Sequence, residues 1–356
     1  MTSLRPVRGE PREVLALLAA WQASPGEPEP LVIETSGSTG TPKRVVLSRR
    51  AMRASAAATQ KRLGGAGQWL LNLPATYVAG VQVLFRSVLA GTTPVLLEDH
   101  PDFVAAARTM DGERRYVSLV PTQLTRMLRD RREVAALRTF DTVLVGGAAV
   151  ESSLRRAAAA EGVRVVATYG MSETCGGCVY DGVPLEGAEV AVGRDGRIRI
   201  TGPMLFDGYD GQPGETAEVM EGRWFLTSDL GRLDSDGRLQ VLGRIDDVVV
   251  SGGVKVPGGA VARRLREHPR IAHAEVTAVA DLEWGQRVVA VVVPTLGAFL
   301  TLEDLRNWVS QSLPREWAPR QLVRAEQIPL LGNGKVDRLA LERLALEQVA
   351  GRSTDG

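Results

Sequence analysis

The chain is poor in the residues that redox, metal and membrane chemistry need. Its 356 residues include two cysteines and three histidines, and the histidines show no spacing typical of metal ligands. The cysteines lie in the segment Cys175-Gly176-Gly177-Cys178. A redox pair and half of a zinc site are therefore two alternative interpretations. Two reduced thiols in a glycine-rich turn are the favoured interpretation. No apolar run approaches the roughly 18 residues of a spanning helix, and the N-terminus lacks an apolar signal core. The sequence therefore predicts a cytoplasmic protein.

Neither sign of charge is in excess. The chain has 43 basic and 42 acidic residues, so neither nucleic acid nor an anionic membrane is expected as a partner. Lysine is scarce, because only Lys43, Lys61, Lys255 and Lys335 are found among the basic residues. A planar guanidinium does not replace a compact ammonium on a flexible stem, so the remaining lysines are candidates for specific roles.

A segment rich in glycine and hydroxyl residues follows the apolar run Leu31-Val32-Ile33. It reads Thr35-Ser36-Gly37-Ser38-Thr39-Gly40-Thr41-Pro42-Lys43. Glycines let backbone N–H groups turn toward an anion, hydroxyls add donors, and lysine adds charge, so this segment is typical of a phosphate-binding loop. Two residues separate Gly40 from Lys43, which excludes a Walker loop. A solvated turn is the alternative.

Strand-like runs and helical patterns alternate along the first part of the chain. The strand-like runs are Gln68–Leu73, Pro94–Leu97, Tyr116–Val120, Thr142–Val145 and Val163–Ala167. The helical patterns are Pro11–Trp21, Val78–Ala90, Thr122–Asp130 and Glu151–Glu161. This alternation predicts a largely parallel sheet covered on both faces, with ligands at the carboxyl ends of its strands.

The pattern changes twice farther along the chain. From Ala188 to Leu242, short strands and Asp-Gly turns predict a small antiparallel sheet. After Gly243-Arg244, helices alternate with β-branched strands in a way that predicts a separate α+β domain of about 110 residues. The predicted fold class is α/β, with an N-terminal domain over residues 1–244 and a smaller C-terminal domain over residues 245–356.

Four further segments have the chemistry of a nucleotide site. They are Leu144-Val145-Gly146-Gly147-Ala148, Tyr169-Gly170-Met171-Ser172-Glu173-Thr174, Thr227-Ser228-Asp229-Leu230-Gly231 and Ile328-Pro329-Leu330-Leu331-Gly332-Asn333-Gly334-Lys335. Together they offer a close backbone approach, an aromatic face, carboxylates and a lysine. Each taken alone is equally consistent with an ordinary turn, a core tyrosine or a strand cap.

In this order, the segments resemble the adenylate-forming superfamily of acyl-CoA synthetases, luciferases and peptide-synthetase adenylation domains. The resemblance also covers Ile200–Thr216 and Gly222–Gly253, and it extends over most of the chain from Leu31 onward. It implies a large ATP- and acyl-binding domain hinged to a smaller mobile domain that carries a catalytic lysine. Leu73–Gly91, Val117–Leu128 and Tyr169–Gly187 resemble the branch of CoA ligases that activates an aryl keto-dicarboxylic acid.

The resemblance assigns roles to individual residues. Those implied as catalytic are Lys335, Glu173 and Ser172, with Glu173 also binding Mg²⁺. Those implied to bind ATP are Thr35, Ser36, Gly37, Ser38, Thr39, Gly40, Lys43, Gly146, Gly147, Ala148, Tyr169, Gly170, Asp229 and Arg244. Asp246 is implied as the hinge, and Gly252, Gly253 and Lys255 as the coenzyme A tunnel. Substrate contacts are expected from Thr76, Tyr77, Thr122, Gln123, Gly176 and Gly177.

The implied reaction has two halves. A carboxylate attacks ATP to give an acyl-adenylate and pyrophosphate, and the coenzyme A thiol then displaces AMP. The expected partners are therefore a small carboxylic acid, ATP with Mg²⁺, and coenzyme A, with a homodimer left open. A ligase for another acid or a stand-alone adenylation domain is an alternative. A non-catalytic nucleotide-binding protein with a redox switch at Cys175 and Cys178 is a third hypothesis.

Overall fold

The computed structural model describes residues 6–35, 42–330 and 336–351 of the protein. Its contacts divide the chain into two compact units. The first comprises Met1–Ala191, Arg199–Thr227 and Leu233–Leu239, and the second comprises Val192–Ile198, Ser228–Arg232 and Gln240–Gly356. Among the described residues, no helix combines the length and the apolar character needed to cross a membrane.

The first unit begins with a helix and a hairpin. Helix α1 (Pro11–Ala23) begins at a proline, which suits a first turn because its missing N–H would have no helical partner. Strands β1 (Leu31–Thr35) and β2 (Lys43–Leu47) pair antiparallel, and helix α2 (Arg49–Arg62) follows. On the far side of β1, the backbone N–H of Val7 donates to the Val32 carbonyl at 2.9 Å.

A seven-stranded sheet forms the centre of this unit. Its strands are β3 (Gln68–Leu71), β4 (Val95–Leu96), β5 (Arg115–Leu119), β6 (Thr142–Val145), β7 (Val165–Met171), β8 (Gly176–Tyr180) and β9 (Val183–Pro184). They lie in the order β4-β3-β5-β6-β7-β8-β9. Pairing is parallel from β4 to β7 and antiparallel for β8 and β9. The helices of this region are α3 (Val78–Ala90), α4 (Phe103–Arg108), α5 (Pro121–Met127), α6 (Arg131–Leu137) and α7 (Ser152–Ala160).

Alternation of side chains along the strands fills a core on each face of this sheet. In β3, Trp69 and Leu71 pack in one core with residues of α1, α2 and α3, whereas Leu70 packs in the other core with residues of α4 to α7. In β6, Leu144 belongs to the first core, and Val143 and Val145 to the second. Side chains of successive strand residues point to opposite faces, so strands covered on both sides are largely apolar. The predicted two-sided sheet is confirmed.

A second, antiparallel sheet follows in the sequence, as predicted. The elements here are β10 (Glu189–Val192), β11 (Arg197–Thr201), β12 (Gly208–Tyr209), α8 (Pro213–Glu218), β13 (Met220–Glu221), β14 (Trp224–Leu233) and β15 (Leu239–Arg244). The sheet order is β10-β11-β14-β13, with β15 also paired to β14. Strand β12 does not join this sheet, because it pairs with β2 of the hairpin.

The second unit contains a five-stranded sheet with helices on both faces. Its elements are β16 (Val248–Ser251), β17 (Val254–Pro257), α9 (Gly258–Arg266), β18 (Ile271–Asp281), β19 (Gly285–Pro294), α10 (Leu302–Ser310), β20 (Gln321–Arg324) and α11 (Arg338–Gly351). In β19, Val288 and Ala290 pack in a core with residues of α9 and α10, while Val289 and Val291 pack with Leu341 of α11. The predicted mixed α/β fold class is thus confirmed.

Close contact between β7 and β8 makes Gly170 a sensitive position. A Cβ atom there would lie 2.1 Å from the carbonyl oxygen of Gly176. We expect Gly170→Ala to lower the free energy of unfolding by about 1–3 kcal/mol, the usual cost of forcing atoms into a packed site. Urea-induced unfolding measures this change.

Gly214→Ala is the matched control for this prediction. Gly214 lies in α8, where an added Cβ would meet nothing within 4 Å. Alanine favours helix over glycine, so this variant should be as stable as the original protein or slightly more stable. Equal stability of the two alanine variants would contradict the prediction.

Candidate active site

The loops that follow the parallel strands meet at one edge of the seven-stranded sheet. The side-chain amide of Gln123 donates to the Asn72 carbonyl at 3.0 Å, which joins the segments after β5 and β3. The N–H of Gly146 donates to the Leu119 carbonyl at 3.1 Å, which joins the segments after β6 and β5. The carboxyl ends of parallel strands are where α/β proteins bind ligands, so this edge is the candidate site.

Gly146 and Gly147 are required by the backbone at this edge. A Cβ on Gly146 would lie 2.3 Å from Oγ1 of Thr168, and Gly147 has a φ of +81°, which L side chains rarely adopt. Ala148 follows on an exposed stretch, and Tyr169 lies half-buried in the neighbouring strand β7. The structure therefore brings the segment after β6, which is implied to bind ATP, next to Tyr169 of β7, which is implied in the same role.

Glu173 lies in a short 3₁₀ turn, Ser172–Thr174, directly after β7. The turn is fixed by Thr174, whose hydroxyl accepts a hydrogen bond from the Met171 N–H at 2.9 Å, and Ser172 is buried. The Glu173 side chain is half-buried, and its Oε1 accepts a hydrogen bond from the Tyr209 hydroxyl at 2.8 Å. The carboxylate is thus held by a neutral donor and is not neutralised by a described cation.

Strand pairing brings Lys43 to the same cluster. Tyr209 of β12 is directly opposite Val45 of β2, and Lys43 is two residues along β2 on the same face. The Lys43 Nζ lies 4.7 Å from the centre of the Tyr209 ring and 3.3 Å from Oε2 of Glu215. Burial and the neighbouring Glu173 carboxylate raise the pKa of Tyr209, so its phenol stays a hydrogen-bond donor.

Part of the predicted site lies outside the described residues. Thr35 is the last residue of β1, and its hydroxyl donates to the Lys43 carbonyl at 3.4 Å. The phosphate-loop residues between these strands in the sequence are not described, namely Ser36, Gly37, Ser38, Thr39, Gly40 and Thr41. The predicted catalytic Lys335 also lies outside the described residues.

A second group of predicted residues is brought together within the second unit. The Asp229 Oδ1 lies 3.8 Å from the Arg244 guanidinium, which also donates to Asp246 at 3.2 Å. Asp229 and Arg244, both implied to bind ATP, are therefore close in space. Gly252 and Gly253 form the turn of the hairpin between β16 and β17, both with positive φ, and Lys255 is exposed on β17.

The predicted substrate residues have varied surroundings. Thr122 is exposed and Tyr77 is 55% exposed, and both lie at the beginning of helices. The Gln123 side chain is already engaged, because its oxygen accepts from the Val120 N–H at 2.9 Å while its amide donates to Asn72. Thr76 directly precedes Tyr77. The substrate role of these side chains stays a prediction.

The segment Cys175–Cys178 is not the turn that the sequence predicted. Gly176, Gly177 and Cys178 lie in β8, where Gly176 pairs with Met171 and Gly177 with Gly170. Glycines here permit the close approach of two strands, so the sequence pattern reflects strand packing. The strand pairing engages this backbone, and the expected substrate contacts of Gly176 and Gly177 stay a prediction.

Both thiols are buried, and this burial argues against a redox or metal role. Cys175 and Cys178 are free, and desolvation raises the pKa of both thiols, that of Cys178 to about 12. Reactive and metal-binding cysteines instead have lowered pKa values and some exposure. The part of the chain that the structure describes has no group of three or more His, Cys, Asp or Glu residues that could hold a metal.

Tyr209 and Glu215 are the residues of this cluster to which the sequence assigned no role. Both lie within the Ile200–Thr216 segment, but nothing in its pattern predicts that a two-residue strand pairs with β2. The signal available was the acidic residue two positions after Pro213, close to a glycine-tyrosine pair. That signal indicates a turn as readily as a site.

Comparison with known proteins shows the family to which the chain belongs. Residues 24–215 match the AMP-binding enzyme family, and residues 261–335 match the AMP-binding enzyme C-terminal domain. The chain belongs to the AMP-binding enzyme family, which confirms the adenylate-forming resemblance.

Individual relatives point to a narrower group within that family. A probable 2-succinylbenzoate–CoA ligase of Mycobacterium tuberculosis is 46% identical over 321 residues, covering 88% of this chain and 84% of that protein. The 2-succinylbenzoate–CoA ligase of Geobacillus kaustophilus is 32% identical over 336 residues, covering 88% and 69%. The o-succinylbenzoate CoA synthetase of Bacillus subtilis, solved with the acyl-adenylate OSB-AMP, is 27% identical with a TM-score of 0.73, covering 88% and 68%. The same enzyme, solved with ATP and magnesium, gives 26% identity and a TM-score of 0.71, covering 87% and 69%.

We expect neither cysteine to react with a disulfide reagent such as DTNB in the folded protein at pH 8. Burial raises the pKa of both thiols well above 8, so the thiolate fraction is very small, and both sulfurs are enclosed. After unfolding in guanidinium, both thiols should react at ordinary rates. Rapid reaction in the native state would restore the redox hypothesis.

Proposed function

We propose that the protein is an AMP-forming acid–CoA ligase that converts 2-succinylbenzoate, ATP and coenzyme A to 2-succinylbenzoyl-CoA, AMP and diphosphate, a step of menaquinone biosynthesis. The observation that carries this proposal is the 46% identity to the mycobacterial ligase over 321 residues. The sequence also contains the carboxylates, the loop lysine and the glycine segments in the motif order of the adenylate-forming family, which supports the proposal. A ligase for a different acid is the alternative.

Adenylate formation brings a carboxylate toward a polyanion, so charge neutralisation and positioning must provide the catalysis. Lys43 lies at the end of β2 with its ammonium partly exposed, where it would contact the terminal phosphates of ATP. Gly146, Gly147 and Tyr169 would hold the adenine between exposed backbone and an aromatic ring. In the second unit, Asp229 and Arg244 would bind the ribose.

Glu173 is the described residue that would hold Mg²⁺ beside the phosphates. Its carboxylate is half-buried, and the Tyr209 hydroxyl occupies one of its oxygens and leaves the other free of a described partner. Mg²⁺ in nucleotide sites uses one or two protein carboxylates and takes its other ligands from phosphates and water, so a single glutamate fits. When bound, the metal would neutralise phosphate charge. Ser172, buried beside Glu173, would fix the turn.

The two halves of the reaction need different groups, which we propose are exchanged by movement of a C-terminal domain over residues 245–356. Lys335 would contact the reacting carboxylate and the α-phosphate in the first half and leave in the second. Asp246 would be the hinge. Gly252, Gly253 and Lys255 of the β16–β17 hairpin would then line the coenzyme A tunnel.

The sequence leaves open whether a second copy of the chain is also a partner. The proposed reaction needs only small molecules, namely the acid, ATP and coenzyme A. Homodimer formation is therefore a separate question, which light scattering of the purified protein answers.

We expect Lys335→Ala to abolish nearly all adenylate formation but to spare thioester formation from supplied acyl-adenylate. The lysine neutralises charge only in the first transition state, and losing such a contact typically costs about 10²–10³ in rate. Pyrophosphate release measures the first half-reaction, and CoA thioester yield from synthetic adenylate measures the second. Equal loss in both would contradict the two-step assignment.

A further prediction concerns the acid. We expect 2-succinylbenzoate to be used at least about a hundredfold better, in kcat/KM, than benzoate or octanoate. Hydrogen-bond donors of the site that pair with the second carboxylate are left without a partner when an acid lacks that group, and this lowers the rate with such acids. Pyrophosphate release across this panel, with and without coenzyme A, measures the ratio. Comparable efficiency with benzoate would reject the substrate but leave the adenylating chemistry intact.

A further inference from the structure

Tyr209 links the two charged groups on which the proposed ATP site depends. Its hydroxyl donates to Glu173 Oε1 at 2.8 Å, and the face of its ring lies 4.7 Å from the Lys43 ammonium. The same ammonium forms a 3.3 Å ion pair with Glu215. Carboxylate, phenol, ammonium and a second carboxylate therefore form one connected cluster.

The Tyr209 ring is held firmly by its surroundings. It is 6% exposed, and its centre lies 5.1 Å from that of Phe206. Its backbone N–H donates to the Thr216 hydroxyl at 2.9 Å, while β12 pairs with β2. Because the ring is fixed in this way, its hydroxyl points toward Glu173.

Glu215 is held in a similar way, although it is more exposed. The side-chain amide of Gln212 donates to its Oε1 at 2.9 Å, so its Oε2 is the oxygen that faces Lys43. The Lys43 side chain is 34% exposed and that of Glu215 is 43% exposed, so solvent reaches the ion pair. An exposed pair of this kind is weak and can exchange partners.

We propose that Tyr209 and Glu215 are positioning residues of the ATP site. Tyr209 binds one oxygen of Glu173 and thereby directs the other toward the metal that accompanies ATP. Glu215 holds the Lys43 ammonium beside the Tyr209 ring until the phosphates of ATP take its place. This inference rests on the proposed function, because it needs Mg²⁺ and ATP as ligands.

Tyr209→Phe tests the first part, since it keeps the ring and removes only the hydroxyl. Thermal unfolding and calorimetric titration of the whole protein are measured with ATP in EDTA and with ATP plus Mg²⁺. We expect the gain in ATP affinity on adding Mg²⁺ to fall about tenfold, which is the usual worth of a hydrogen bond to a charged group. Affinity for ATP in EDTA should change little.

Tyr116→Phe is the matched control for this variant. The Tyr116 hydroxyl is also buried and donates to the carbonyls of Leu63 and Gly65, at 3.1 and 3.2 Å, with no contact to the cluster. Loss of this hydroxyl should lower the unfolding temperature but leave the Mg²⁺ dependence unchanged. The same Mg²⁺ dependence in Tyr209→Phe and the original protein would overturn the role of Tyr209.

Glu215→Gln tests the second part, because it keeps the size and polarity of the side chain and removes the competing charge. We expect ATP in EDTA to bind about threefold more tightly, a change of the size that exposed ion pairs give. Glu218→Gln removes the same charge one helical turn along α8, from an exposed side chain, and should change binding less. Unchanged or weaker binding by Glu215→Gln would overturn the role of Glu215.

The experiments distinguish failure of the positioning roles from failure of the proposed ligase function. If the original protein binds ATP and Mg²⁺ but the variants behave like their controls, the positioning roles are wrong and the ligase assignment is untouched. If the original protein shows no ATP binding and no pyrophosphate release with any acid, the proposed function and the positioning roles are both overturned.

Discussion

Burial of the parallel strands on both faces is the constraint on which the rest of the structure depends. Trp69 and Leu70, adjacent in β3, pack in different cores, and the same holds for Val143 and Leu144 in β6. Neither face of these two strands is therefore available for polar chemistry. Glycine and polar residues instead follow the strands, where the backbone must turn. That is where Gly146 and Glu173 lie, so the position of the candidate site follows from how the core is filled.

The neighbouring residues Lys43 and Arg44 of β2 have different roles, because Lys43 belongs to the proposed ATP site and Arg44 holds the strand in place. They point to opposite faces of β2, and Arg44 forms a 3.0 Å ion pair with Asp210, the residue directly opposite in the extension of β12. Arginine with its fixed, planar fork suits a permanent contact. Lysine, a point charge on a flexible stem, suits a group that must change partners. In a chain with only four lysines, the choice of residue at each position is itself informative.

Much of the fold could be predicted from the sequence because apolar periodicity reports burial directly. The helix at Val78–Ala90 and the strand at Thr142–Val145 have the predicted bounds, since both are buried and end at turn-forming residues. The family could be predicted because its motifs keep residue type and order. The Cys175–Cys178 segment was misinterpreted because glycines serve close strand packing as well as turns. Tyr209 was missed because its contacts with Glu173 and Lys43 depend on pairing between distant segments, which local patterns do not contain.

The pairing of the β1–β2 hairpin with other segments of the chain bears on aggregation as well as on the proposed ATP site. Its outer edges are both occupied by short segments from elsewhere in the chain, with Val7 bonded to Val32 on one side and Gly208–Tyr209 paired with β2 on the other. An open strand edge offers unpaired N–H and C=O groups to any extended chain and promotes aggregation. The strand that places Tyr209 beside Glu173 therefore also closes an edge at which copies of the protein would otherwise associate.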